Sequence, residues 1–122
     1  MAARDPLGVG TRLARYFDGR LDAIDDLPVD PGGTPFQRRV WSALRRLPCG
    51  ATRSYGALAA GLGKPAASRA VGLANGANPI AIVIPCHRVI GSDGALTGYA
   101  GGIARKRWLL EHEGALPRSP AN

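Results

Sequence analysis

Two short helical segments joined by Gly63-Lys64-Pro65 constrain the fold of this chain more than any other feature. Ser54 opens the first as a side-chain cap, and Leu58 and Leu62 fall one turn apart over Tyr55 to Leu62. The second, Ala66 to Asn75, follows the turn directly. Two such helices across a tight turn predict a helix-turn-helix. The second helix, AASRAVGLAN, carries few side chains able to read a base edge: only Ser68, Arg69 and Asn75 are polar. Small residues such as Ala67 and Gly72 let its backbone approach a surface while Arg69 projects. That pattern predicts sequence-blind contact from the minor groove rather than base reading in the major groove.

A third helix precedes this pair. Thr34 and Pro35 form a cap and a first-turn proline, and Phe36, Val40, Leu44 and Leu47 mark one apolar face before Pro48 and Gly50 end the helix. Upstream, DDLPVDPGG reads as a linker. It separates residues 1–33, with one helix predicted over Leu7 to Leu21, from residues 34–122. The charge divides at nearly the same place. Residues 1–30 hold four Arg against six Asp, whereas residues 31–122 hold twelve Lys or Arg against three acids, a net of +9. A part that basic suits a polyanionic partner.

Downstream, Ile80 to Ile84 reads as a strand, VIGSDGALTGY as a hairpin or wing, and Gly102 to Glu113 as a last helix. The expected fold is mainly α (α+β), a winged helix-turn-helix-like domain with a short β-hairpin. At 122 residues and 45% hydrophobic content the chain can bury a modest core without disulfides. No apolar run reaches the roughly 18–20 residues of a membrane span. Two cysteines and no leader-like start predict an intracellular, cytoplasmic protein with reduced thiols.

The densest chemistry lies in IVIPCHRV, where Cys86 and His87 follow Pro85. A free thiol titrates near ~8.5, so a nucleophilic cysteine needs a base or a positive field. His87, Arg88 and the general basic charge can supply both, and a water can bridge Cys86 and His87 if the backbone turns after Pro85. The histidine then needs an orienting acid, for which only Asp93, Glu111 and Glu113 are available in the basic part. Cys49, Cys86, His87 and His112 lack the paired spacing of a zinc site, so no metal is expected. Cys49 is expected at a helix end without a role.

IPCHRV, followed by GYAGG and KRWLLEHEG and preceded by TPFQRRVW, SYGALA and SRAVGLANGANPI, resembles the methylated-DNA-protein-cysteine methyltransferase family from about Thr34 to Gly114. The resemblance implies a repair protein that flips O6-alkylguanine out of double-stranded DNA and moves the alkyl group to its own Cys86, once and without a cofactor. It implies His87 as a base acting through water, Glu113 orienting it, and Asn78 holding the active-site turn. Tyr99, Gly101 and Gly102 would line the guanine pocket, with the Ala100 amide on O6 and the Cys86 and Val89 carbonyls on the guanine amino group. Lys106 would support the side of the pocket where a proton is donated. Arg69 would fill the gap left by the flipped base and Tyr55 would push the phosphate, with Ala67, Ser68, Gly72 and Asn75 on the same DNA-facing helix. Residues 1–33 would be a shortened remnant of the family's N-terminal domain, and the protein a monomer. The rival within the family is a lesion-recognition protein that binds alkylated DNA without transfer; such proteins replace the acceptor cysteine, which is present here. A cysteine hydrolase and a plain DNA-binding regulator are more distant rivals, the first disfavoured by the small-residue helix and basic balance.

Overall fold

The computed structural model describes residues 8–96, 98, 99 and 101–116, and divides into two compact units, Met1–Asp30 and Pro31–Asn122. In the first, α1 (Val9–Phe17) is shorter than the expected Leu7 to Leu21, whose first residue lies outside the described part. The helix stops at Asp18 because Gly19 takes a φ of 104°, a left-handed conformation that ends the helical path. Turns occupy residues 18–26, and an Arg12–Asp26 ion pair ties them back to the helix.

In the second unit, α2 (Pro35–Arg45) starts at the expected Thr34 cap, which proves reciprocal: Gln37 N donates to Thr34 Oγ1, and Thr34 N donates to Gln37 Oε1. Its inward face buries Val40, Trp41 and Leu44. Full burial of each such side chain contributes about 1.5–3 kcal/mol. Trp41 satisfies its indole by donating to Ala74 O at 2.9 Å, which pins α2 to α4. Gly33 sits under the same ring. A Cβ there would lie 2.6 Å from Trp41, so a side chain is excluded at that approach.

The helix-turn-helix forms as α3 (Tyr55–Gly61) and α4 (Ser68–Gly76), joined through a 3-10 turn at Pro65–Ala67. The expected continuous helix from Ala66 thus begins as 3-10 and becomes α-helical at Ser68. Proline at its first position has no amide to donate and suits that tight start. Ser54 caps α3 by accepting from Ala57 N at 3.0 Å. The last helix is α5 (Ile103–His112), which turns Lys106, Leu109 and Leu110 inward and leaves Ile103 and Trp108 exposed.

The β-structure differs from expectation. The sheet pairs β1 (Arg53–Ser54) with β2 (Val89–Ile90) in parallel, with Arg53 opposite Val89 and Ser54 opposite Ile90; it is not a hairpin. The loop after β2 closes instead by a Gly91 N to Ala95 O bond and by Asp93 accepting from Ala95 N. Nor do residues 80–84 form a strand. They make a compact turn with a single bridge between Ala81 and Ile84, because the Asn78 side chain takes over the local backbone hydrogen bonds and Ile82 adopts a φ of 74°. A positive φ at a β-branched residue is strained, and it falls four residues before Cys86. No helix among the described residues is long and apolar enough to cross a membrane.

Candidate active site

The approach to Cys86 is held by two asparagines. Asn78 Nδ2 donates to Ile84 O at 2.7 Å while its Oδ1 accepts from Ile80 N at 2.9 Å, so one side chain braces both ends of the turn. Asn75 Nδ2 donates to Cys86 O at 3.2 Å. After Pro85 the chain enters a 3-10 turn at Cys86–Arg88, which is closed by Arg88 N donating to Pro85 O. Cys86, His87, Arg88 and Val89 are all buried.

His87 is wholly enclosed, and its Nε2 lies 2.8 Å from Glu113 Oε2. An ionised carboxylate only accepts, so Nε2 carries a proton, and when the ring is neutral Nδ1 presents a lone pair. Nδ1 is buried and has no hydrogen-bond partner among the described residues. A buried polar atom without a protein partner calls for a water or a ligand. The ring is therefore anchored at Nε2 and open at Nδ1.

The anchor is itself anchored by Arg88, which the sequence offered only as part of a positive field around the thiol. Arg88 Nε donates to Glu113 Oε1 at 2.8 Å and Nη2 to Oε2 at 2.9 Å, a two-pronged grip on one carboxylate. Nη1 donates to Leu47 O at 2.7 Å and Nη2 also approaches Cys49 Sγ at 3.1 Å. Cys49, expected to be idle, is thus half-buried against this guanidinium. The available signal was charge balance. A basic part with three acids that commits Glu113 to a buried histidine needs a cation to compensate it, and Arg88 is next in sequence.

Lys106 completes the opposite wall. Fully buried, it donates from Nζ to Val89 O at 2.6 Å and lies 5.9 Å from the centre of the Tyr55 ring. Burial lowers its pKa, with the charge of Cys86 opposing the change. For Cys86, burial pushes the thiol up from its ordinary value, while the Asn78 side chain and the positive charge of Lys106 pull it down. Tyr99 is pushed up to about 12, first by burial and then by the charge of Cys86. Its phenol keeps its proton throughout the neutral range and can act as a donor. Gly101 approaches that ring so closely that a Cβ there would lie 2.8 Å from it. Ala100 lies outside the described residues.

On α4, Ser68, Arg69 and Leu73 are exposed, whereas Ala67 and Gly72 are half-buried. A Cβ on Gly72 would lie 3.8 Å from the Tyr55 ring, so the two helices meet closely at that point. Asn75 does not belong to the exposed face. It is 1% exposed and turned inward to Cys86 O, because it falls on the same side of α4 as Val71 and Ala74. Among the described residues no group of three or more His, Cys, Asp or Glu could hold a metal ion.

Residues 35–115 match the family model described as 6-O-methylguanine DNA methyltransferase, DNA binding domain. A methylated-DNA–protein-cysteine methyltransferase of Salmonella typhimurium is 63% identical over 116 residues, 95% of this chain and 68% of that protein. The protein of the same name from Mycobacterium tuberculosis is 57% identical over 94% of this chain and 68% of its own length. The solved structure of Mycobacterium tuberculosis OGT in complex with DNA superposes with a TM-score of 0.82 at 57% identity, covering 88% of this chain and 66% of that one. S. pombe Atl1 in complex with damaged DNA containing O6-carboxymethylguanine gives 0.58 at 35% identity, over 65% of this chain and 75% of that one. The chain thus spans about two thirds of the length of the relatives named here, from 66% to 75%.

Proposed function

The chain belongs to the methylated-DNA–protein-cysteine methyltransferase family of DNA repair proteins, and from that membership we propose that it takes the alkyl group of O6-alkylguanine in duplex DNA onto Cys86. The observation that carries this reading is the buried series Cys86, His87, Glu113 and Arg88, in which the imidazole is anchored at Nε2 and open at Nδ1.

In the reaction, His87 Nδ1 accepts the Cys86 proton through an intervening water. Glu113 holds the ring in that tautomer and stabilises the imidazolium that forms. The thiolate attacks the alkyl carbon, a C–S bond forms as the carbon–O6 bond breaks, and the electron pair leaves with the guanine. Tyr99, still a phenol, donates a hydrogen bond to the departing base, and Lys106 supports that side through Val89 and Tyr55. The Cys86 and Val89 carbonyls accept from the guanine amino group. Val89 O takes the Lys106 ammonium, whereas Cys86 O already accepts from Asn75 Nδ2 and Val89 N, so the amino group must share or displace one of those donors there. The Ala100 amide and Gly101 complete the O6 side. The thioether product is not reversed by thiol exchange, so each molecule reacts once.

Reaching the base requires extrusion from the helix, at a cost of a few kcal/mol. Arg69 enters the stack in its place, Tyr55 displaces the phosphate, and the Ala67, Ser68 and Gly72 side of α4 follows the minor groove. Residues 34–122 carry both tasks, residues 1–33 correspond to the end of the family's N-terminal domain, and a monomer acts on intracellular DNA. Relatives at 57–63% identity favour transfer over recognition alone. The test is a titration of lesion duplex against protein. Repair should stop at one alkyl group per molecule, and continued turnover would reject the reading.

A further inference from the structure

We infer that a basic trough between α2 and α3 is a second DNA contact, holding the phosphate backbone of the same duplex beyond the segment engaged by α4. The inference rests on the DNA-binding reading above and extends it to a surface that reading does not use.

Two adjoining hollows of about 250 Å³ and 320 Å³ share Arg46, Gly61 and Leu62 and so form one trough. Its four cations are Arg38, Arg39, Arg46 and Arg53, all exposed, and its lining contains no acidic side chain. Among the described residues none of these four arginines is paired with a carboxylate. Two are nevertheless held in place: Arg39 Nη2 donates to Leu62 O at 2.8 Å and Arg38 Nε to Gly32 O at 3.2 Å. Four unpaired guanidiniums along a groove, partly fixed by the backbone, match the repeating charge of a phosphodiester chain better than a single anion.

The position of the trough selects the duplex. Gly61 and Leu62 end α3 immediately before the turn, with exposed Lys64, that leads into the exposed Ser68 and Arg69 of α4. No α4 residue lines the trough, so it is a separate contact that begins where the α4 contact begins. A backbone running past the start of α4 meets these arginines next.

The test is the salt dependence of binding to unmodified duplexes of about 10 and about 20 base pairs, one and two helical turns. Each neutralised phosphate adds about 0.9 to the slope of log affinity against log salt. Wild-type protein should show a steeper slope on the longer duplex. The variant Arg38→Gln/Arg46→Gln, with its melting temperature checked, should lose about 1.8 of that slope on the longer duplex and nothing on the shorter. Equal wild-type slopes at both lengths would overturn the proposal whether or not the variant folds. So would a variant that keeps the difference, and an acidic protein would then be the partner class for the trough. Methyl transfer from a short lesion duplex, measured separately, reports on the reaction at Cys86 and not on the trough.

Discussion

Arg88 grips both oxygens of Glu113, Nε to Oε1 at 2.8 Å and Nη2 to Oε2 at 2.9 Å, and thereby fixes the carboxylate that anchors His87. Arg88→Ala leaves a buried carboxylate without its cation, a change that typically destabilises by about 3–5 kcal/mol. Arg88→Lys keeps the charge but loses the fork, and should melt between wild type and the alanine variant while transferring more slowly. Denaturant midpoints paired with single-turnover rates check this; a loss below about 1 kcal/mol in Arg88→Ala would refute the grip.

Asn78 braces the turn before Cys86 with both ends of its amide. Asn78→Ala removes two hydrogen bonds and one of the contacts that pull the thiol down, so both folding and reactivity should suffer. We expect about 1–3 kcal/mol of lost stability and a transfer rate reduced even at temperatures well below melting. Asn78→Asp retains an acceptor for Ile80 N but loses the donor to Ile84 O, and its added negative charge should raise the Cys86 thiol further.

The raised thiol value gives a pH dependence of definite sign. Because burial favours the protonated form, the thiolate fraction at neutral pH is smaller than that of a free cysteine and grows tenfold per unit. Wild-type transfer should therefore accelerate with pH and should not level off below the free-thiol value of about 8.5. In His87→Ala the rate should fall about 10²–10⁴-fold near neutrality, with partial recovery at high pH. Tyr99, at about 12, should contribute no falling limb in the same range. A rate independent of pH in the alanine variant would contradict the role given to the imidazole.

A variant at Arg69, exposed on α4, should separate extrusion from chemistry. Arg69→Ala should slow reaction with a lesion in duplex DNA by roughly 10–100-fold, equivalent to losing about 1.4–2.7 kcal/mol of support for the flipped state. Its reaction with a free O6-alkylated guanine base should be unchanged, since no stack has to be opened. Equal losses on both substrates would place Arg69 in the chemistry instead.

The helices were legible in the sequence because their signals are local. The Thr34 cap with Pro35 after it, the Ser54 cap and the four-residue spacing of Val40 and Leu44 are all visible without the fold. The pairing of β1 with β2 was not, because two residues on each side carry no period and their partners are 36 positions apart. Residues 80–84 misled for a related reason. IAIVI has a strand's composition, but the Asn78 amide outcompetes ladder pairing for its backbone. Cys86 and His87 stood out from the residues alone, the resemblance picked Glu113 from three candidate acids, and the structure joins His87 to Glu113. Arg88 was read only as positive charge near the thiol, and neither its grip on Glu113 nor the inward turn of Asn75 was foreseen, since only packing reveals which polar residue faces the core.

The most direct test of the central claim is the mass of the intact protein after incubation with duplex DNA containing O6-methylguanine, followed by peptide mapping. The account predicts one added methyl group, located on Cys86, absent with unmodified DNA and absent in Cys86→Ala. Binding of the lesion duplex without any gain in mass, or a methyl group found on Cys49, would contradict it.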